Sequence, residues 1–399
     1  MKKILLTILL IILSTLVLIS CGDSTKKHSD GDDTEQTDEV KTDSPFKIPE
    51  KSARDFVVDY MYEMADVKWS PANDIDTTDI HKSLYYNKGE IYYGLPYINL
   101  STDADLDDFI NDMVWDEEKQ MYIYETATNR DNTKGNDCSS SILLAYKRFD
   151  NGAITAYDTA SCFPLGDKSG IYPIGDIVVN GSEKQTDTIT NNTEEQVHFE
   201  AFALLQKGDS VIWKTEGPGH IRMVLEVNVE RNNAGKINGR RSYVKTIEQT
   251  NQFDTTNKER KTTWWIEHSY SFADLREKFY IPVTCKALSE ERPEPNIEVV
   301  GANSKKTIAK AKSLLGNIKS NYELISAEIF IKDKDGNVIY TEKYKLPNNK
   351  MTNMIELKVF KFDFDMASLA EGDYTYSITA ETVCGKGEIY NIEFTKKAE

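Results

Sequence analysis

The chain has 399 residues, 39% of them hydrophobic and 10% aromatic; that is more than one core usually holds and enough apolar matter to exclude wholesale disorder, so two or more domains are expected. Acidic residues number 65 against 48 basic ones, a net charge of −17, which excludes binding driven by phosphate neutralisation, and no nucleic-acid partner is expected. No long apolar run follows the first twenty residues, so the body of the chain is not expected to span a membrane.

Lys2 and Lys3 precede an apolar or small-residue run over 4–20 that stops at Cys21, which reads as a secretory leader over 1–20. Leu18-Ile19-Ser20-Cys21 resembles a bacterial lipobox. That resemblance implies lipidation of Cys21, hence an extracytoplasmic, membrane-anchored lipoprotein whose only membrane contact is its acyl chains, at about 0.8 kcal/mol per buried CH₂. Residues 22–45 carry Val40 as their single large apolar side chain. With Cys21 they read as a solvated tether, 21–48 in all, in which His28 is bland.

Residues 52–66 place Phe56, Val57, Tyr60, Met61 and Met64 at helical spacing behind a Ser52/Asp55 capping box, which predicts an amphipathic helix. Residues 91–97, broken by Gly94 and Pro96, predict a strand end or tight turn. Helices are predicted over 139–149 and 194–206, and strands over 210–214, 221–229 and 243–249, the last two joined by a polar hairpin at 232–239. A short helix capped by Ser271 leads into a strand at 281–283. The charged, Pro-rich stretch 290–295 predicts a domain boundary. Beyond it, strands are expected near 308–312, 324–332, 338–344, 355–362, 374–383 and 389–394, with a hairpin at 333–337. Such spacing predicts a β-sandwich, and 369–374 followed by 385–387 resembles the last hairpins of immunoglobulin-like or fibronectin-like modules.

Of the five cysteines, none is spaced as C-x-x-C, and no His pair has metal-ligand spacing, so neither a metal nor any other cofactor is expected. Cys162, Cys285 and Cys384 read as buried small hydrophobes, with a single disulfide as the rival reading. Cys138 differs. It follows Gly135-Asn136-Asp137 and precedes an apolar helix, where unpaired N–H groups and the macrodipole favour thiolate over thiol. A base candidate is His220, which opens a strand after Gly217-Pro218-Gly219. His198 and His268 read as packing or rim residues, and His81 has no motif around it. Along 243–249, alternation puts Ile247 and Gln249 on one face and Glu248 on the other. If Ile247 is core, Glu248 shares a face with His220; Glu248 is favoured over Gln249 as the group that orients the base.

Gly94-x-Pro96-Tyr97, Asp137-Cys138-Ser139, Gly208-Asp209 and Gly219-His220 occur in the order used by NlpC-type cell-wall cysteine peptidases, which this chain resembles over about 56–288. The resemblance implies a papain-like fold in which Cys138 is the nucleophile, His220 the base, Tyr97 a neighbour of the nucleophile and a polar residue on the next strand the group that orients the base. The chain departs from the family at Ser140 and Arg222, where glycine is usual, and in its longer intervals between motifs. The expected fold class is α+β: a papain-like (NlpC-type) domain over 49–290, with helices packed on an antiparallel sheet, then an all-β sandwich over 291–399. The expected activity is cleavage of amide bonds in peptidoglycan stem peptides through an acyl-enzyme. An N-acetylmuramoyl amidase or other papain-like acyl transferase, and a non-catalytic cell-wall-binding or adhesion protein, remain as alternatives; no partner of the C-terminal module follows from the sequence.

Overall fold

The computed structural model describes residues 44–78, 84–99, 104–147, 154–162, 169–177, 194–215, 217–289, 292–345 and 352–397. The leader, Cys21, most of the tether, His28 and His81 lie outside the described residues. No helix among them is long and apolar enough to cross a membrane. The fold is mixed α and β, with several antiparallel sheets and mostly strands in its C-terminal region.

Helix α1 (Ala53–Asp66) starts where the Ser52 hydroxyl accepts the Asp55 N–H at 3.0 Å, and it buries Val57, Val58, Tyr60, Met61 and Met64. After it, β1 (Lys68–Pro71), β4 (Tyr92–Tyr93), β5 (Val114–Asp116) and β6 (Met121–Tyr124) form a small sheet in the order β4-β1-β6-β5, with β2 (Ile75–Asp76) and β3 (Tyr85–Tyr86) as a separate pair and α2 (Leu106–Asn111) between β4 and β5. Trp69 on β1 is its hub: the ring meets Tyr86, Tyr92, Phe109 and Tyr124 at 5.3 to 6.0 Å, and its Nε1–H donates to Gly94 O at 2.8 Å. Apart from β4, which falls in the stretch 91–97, these strands escape sequence reading because two to four residues are too few to show an alternation.

The site rests on the second sheet. Helix α3 (Cys138–Lys147) is followed by β7 (Ile171–Pro173), α4 (Glu195–Ala203), β8 (Ser210–Lys214), β9 (Gly219–Asn228), β10 (Tyr243–Gln249), β11 (Trp264–Ser271), α5 (Phe272–Glu277) and β12 (Ile281–Cys285). The six strands are antiparallel in the order β11-β10-β9-β8-β12-β7. Alternation serves two cores. Ile221, Met223 and Ile247 join α1 and α3 through Val57, Met61, Ile142 and Leu143, while Val211, Val224 and Val244 meet Phe199, Phe202 and Phe272 of α4 and α5.

The C-terminal strands β13 (Ile297–Val300), β14 (Asn317–Asp333), β15 (Val338–Lys345), β16 (Thr352–Glu356), β17 (Gly372–Thr382) and β18 (Gly385–Lys396) form one antiparallel network around β14, which pairs with β13, β15, β16 and β17. The hairpin at 333–337 closes with Asp333 N–H donating to Asn337 O at 3.0 Å. Two expected strands are corrected. Residues 308–312 fall at the end of helix α6 (Lys305–Ile308) and in the turn after it. The strand expected over 355–362 stops at Glu356, where Leu357–Val359 turns into a 3-10 helix.

Residues 44–399 cluster as one compact unit, and contacts cross the boundary expected near 290. Arg292 donates to Pro49 O and Lys51 O at 3.1 and 3.2 Å. The Lys345 ammonium lies 3.4 to 3.7 Å from the carboxylates of Asp105, Asp107 and Asp108.

Candidate active site

Cys138 is the first residue of α3 and is 4% exposed. The strand-like bridge between Tyr97 and Asn136 sets the position of the loop before it, with Asn136 N–H donating to Pro96 O at 3.2 Å and Ile98 N–H to Asn136 O at 3.0 Å. The turn that feeds this bridge depends on Gly94, whose φ is +75° and where a Cβ would lie 2.4 Å from Trp264. Asp137 caps the helix: its Oδ1 accepts the Ser139 and Ser140 N–H groups at 2.9 and 2.8 Å. In return the Ser140 hydroxyl accepts the Asp137 N–H at 2.7 Å. This capping box gives Ser140 a structural role at the start of the helix. The cap takes the amides of Ser139 and Ser140 and does not compete for that of Cys138.

His220 reaches the same place from β9. Gly219 before it packs so closely that a Cβ would sit 2.5 Å from Lys214 and 2.8 Å from Thr159, and Thr159 Oγ1 is itself 3.9 Å from Cys138 Sγ. On the face opposite Ile221 and Met223, His220 Nε2–H donates to Glu248 Oε2. Arg222 Nε–H donates to that same oxygen at 2.7 Å, and the Tyr270 hydroxyl donates to Oε1 at 2.6 Å. Glu248 is 1% exposed, yet both its oxygens are occupied by donors, as a buried carboxylate requires.

The electrostatics follow from this packing. Burial works against a charged His220, but the facing Cys138 sulfur and then the Glu248 carboxylate outweigh it and raise its pKa to about 9. Burial would push the Glu248 carboxyl up; the hydrogen bond from His220 and the charge of Arg222 instead hold it down at about 2. Burial, then Glu248, pushes the Tyr270 hydroxyl up, which keeps it a donor. Because Glu248 occupies Nε2, Nδ1 is the ring nitrogen left to serve the thiol.

The structure therefore brings Cys138, His220 and Glu248 together. Tyr97 stands beside Asn136, two residues upstream of Cys138, and is 7% exposed. Gln249 does not join them: its Nε2–H donates to Leu95 O at 2.7 Å, holding the turn after Gly94. Gly208-Asp209 is scaffold, with Asp209 Oδ1 accepting from Arg54 at 2.8 Å and Thr284 at 2.7 Å. His268 pairs with Asp254 at 3.0 Å and lies against Trp265, with ring centroids 4.8 Å apart; His198 Nδ1 lies 3.4 Å from the carbonyl of Glu194, the residue that precedes α4. Cys162, Cys285 and Cys384 are buried and none of them is in a disulfide, and burial raises the Cys162 and Cys384 thiol pKa values. Sequence reasoning missed Thr159 and Tyr270, and it noted Arg222 only as a departure from the NlpC-type pattern.

No family model matches the chain, and no curated protein matches it either. Among solved structures, wild-type OgpA from Akkermansia muciniphila is 18% identical over 28% of this chain and 32% of that one, with a TM-score of 0.20. Catalytically inactive OgpA in complex with an O-glycopeptide substrate is 18% identical over 27% and 29%, with a TM-score of 0.19. The chain thus spans about a third of the length of these proteins, and so slight a likeness bears on neither its fold nor its activity.

Proposed function

We propose that this is a lipid-anchored cysteine hydrolase that cleaves amide bonds in peptidoglycan stem peptides, with a papain-like, NlpC-type domain over 49–290 and an immunoglobulin-like sandwich over 291–399. The observation that carries the reading is the His220 ring held between the thiol that opens α3 and a buried, ionised carboxylate. In the proposed reaction His220 Nδ1 takes the Cys138 proton, and the thiolate adds to the substrate carbonyl carbon. The oxyanion that forms is met by the Cys138 N–H and, by resemblance, the Tyr97 hydroxyl. Collapse breaks the C–N bond as the imidazolium returns its proton to the leaving amine. Water, deprotonated by His220, then attacks the thioester and releases the acid and the thiolate.

Incubation with peptidoglycan followed by mass spectrometry of the products tests this. Cleavage inside the stem peptide is expected, and Cys138→Ser should lower it by at least about 10³-fold because a serine hydroxyl is a poor nucleophile in a site built for a thiolate. Release of whole stem peptides would assign an amidase instead. Equal digestion by parent and Cys138→Ser would leave the non-catalytic binding protein as the reading.

A further inference from the structure

Arg222 is a charged side chain in the wall of the site, 11% exposed, and the proposed acyl transfer gives it no task. Its guanidinium carbon sits 3.9 Å from the Tyr270 ring centroid and 4.5 Å from that of Tyr280, a slot that admits a flat cation and fixes its plane. From that slot Nε–H reaches Glu248 Oε2, the oxygen that also holds His220. Its Nη1 is buried without a hydrogen-bond partner. A buried cation with an unused donor costs stability that an apolar side chain in the same slot would not. Structural need alone does not explain its presence.

We propose that Arg222 is a positioning residue that keeps Glu248 ionised and in the single orientation that can grip His220 Nε2, so that Nδ1 stays aimed at Cys138. The proposal rests on the Cys138–His220 chemistry above and adds a device that the NlpC-type pattern, with glycine at this position, does not contain. The groups that face Glu248 are His220 and Arg222 from β9, Thr246 from its own strand, Tyr270 from β11 and, past Arg222, Tyr280 at the entry to β12; Cys138 of α3 acts on it only through His220. Arg222 is the permanent cation of this set. His220 cannot replace it, because the imidazole must give up its proton in each turnover.

The test is a titration of the full chain carrying ¹³C-labelled histidine, followed by NMR, with turnover measured over the same pH range. The His220 signal of the parent should show one step, centred near 9. In Arg222→Met a second step should appear on the acid side as Glu248 protonates, its midpoint about one to three pH units above the parent value, and turnover at pH 5 should fall along with it. Arg222→Lys, which keeps the charge but loses the planar fork, should show a smaller displacement. Should Arg222→Met fail to fold, Arg222→Gln keeps a donor without charge and must show the same acid step. A neutral variant whose His220 curve and pH profile superimpose on the parent's overturns the proposal. A displaced curve in a protein that leaves peptidoglycan intact would uphold the role of Arg222 and remove the substrate reading instead.

Discussion

The sheet β7–β12 and the network around β14 are built alike: six antiparallel strands, a long central strand and an alternating apolar face. They differ in what the alternate face does. On β9 and β10 it carries His220, Arg222 and Glu248, whose charges are buried and closed on one another. On β14 and β17 the described side chains form no such closed set of opposite charges: the Glu323 carboxylate is buried on β14, Ser326 donates to Glu381 at 2.6 Å, and the Tyr376 and Ser377 hydroxyls are buried without hydrogen-bond partners. A strand face becomes a candidate for chemistry when buried charges on two strands satisfy each other and leave one ring nitrogen over.

The sharpest way to break this contrast is inside β10. Glu248→Ala should lower kcat by about 10²-fold or more, since it frees the base to turn and leaves it without a counter-charge. Gln249→Ala should leave kcat of the folded protein within about tenfold and instead cost about 1–3 kcal/mol, because it strips the Leu95 carbonyl of a buried donor. Urea titration and steady-state kinetics on both variants separate the two outcomes. Across the comparison, Ile329→Ala in the β14 core should cost about 2–5 kcal/mol and leave turnover per folded molecule unchanged; a matching loss of kcat would show that the two regions are coupled.

The smallest expected effect is a pH window. The folded-state pKa of His220 is raised above its unfolded value, so the stability it contributes is fully present below about 6.5 and is lost as pH rises through about 9. Thermal midpoints should fall across that window, by an amount on the order of 1–3 kcal/mol in stability. Cys138→Ala should narrow the window, because the facing sulfur is the first of the causes that raise this pKa.

What was legible in the sequence was local. The start of α3 after Asp137, the strand after Gly219 and the alternation along 243–249 that separates Glu248 from Ile247 are each written within a few residues of sequence. What was not legible depends on pairing at a distance. Tyr270 stands opposite Val244, not Glu248, in the β10–β11 register, and only its long side chain reaches the carboxylate. The register of β9 against β10 shifts between Lys245 and Thr246, so spacing along either strand does not say that Arg222 and His220 meet one oxygen. β11 was missed outright: Glu267 takes a φ of 60° in its middle, and that irregularity hides the alternation by which strands are recognised. Ile308 misled in the opposite sense, since a β-branched residue in the C-terminal core turned out to end a one-turn helix.

The first described residues lead into the C-terminal module before they lead into α1. Phe46 is buried with Tyr322 and Cys384, and Lys47 N–H donates to Cys384 O at 2.9 Å. In mechanical terms Phe46 is a plug: a load applied to the chain at Ser44 is taken up by the β17–β18 turn, and the Arg292 bonds to Pro49 O and Lys51 O come next in line. Helix α1, on which α3 and Cys138 pack, lies behind both. Tension that enters from the N-terminal side is therefore spent on the strand module before it can disturb the geometry of the thiol and its imidazole.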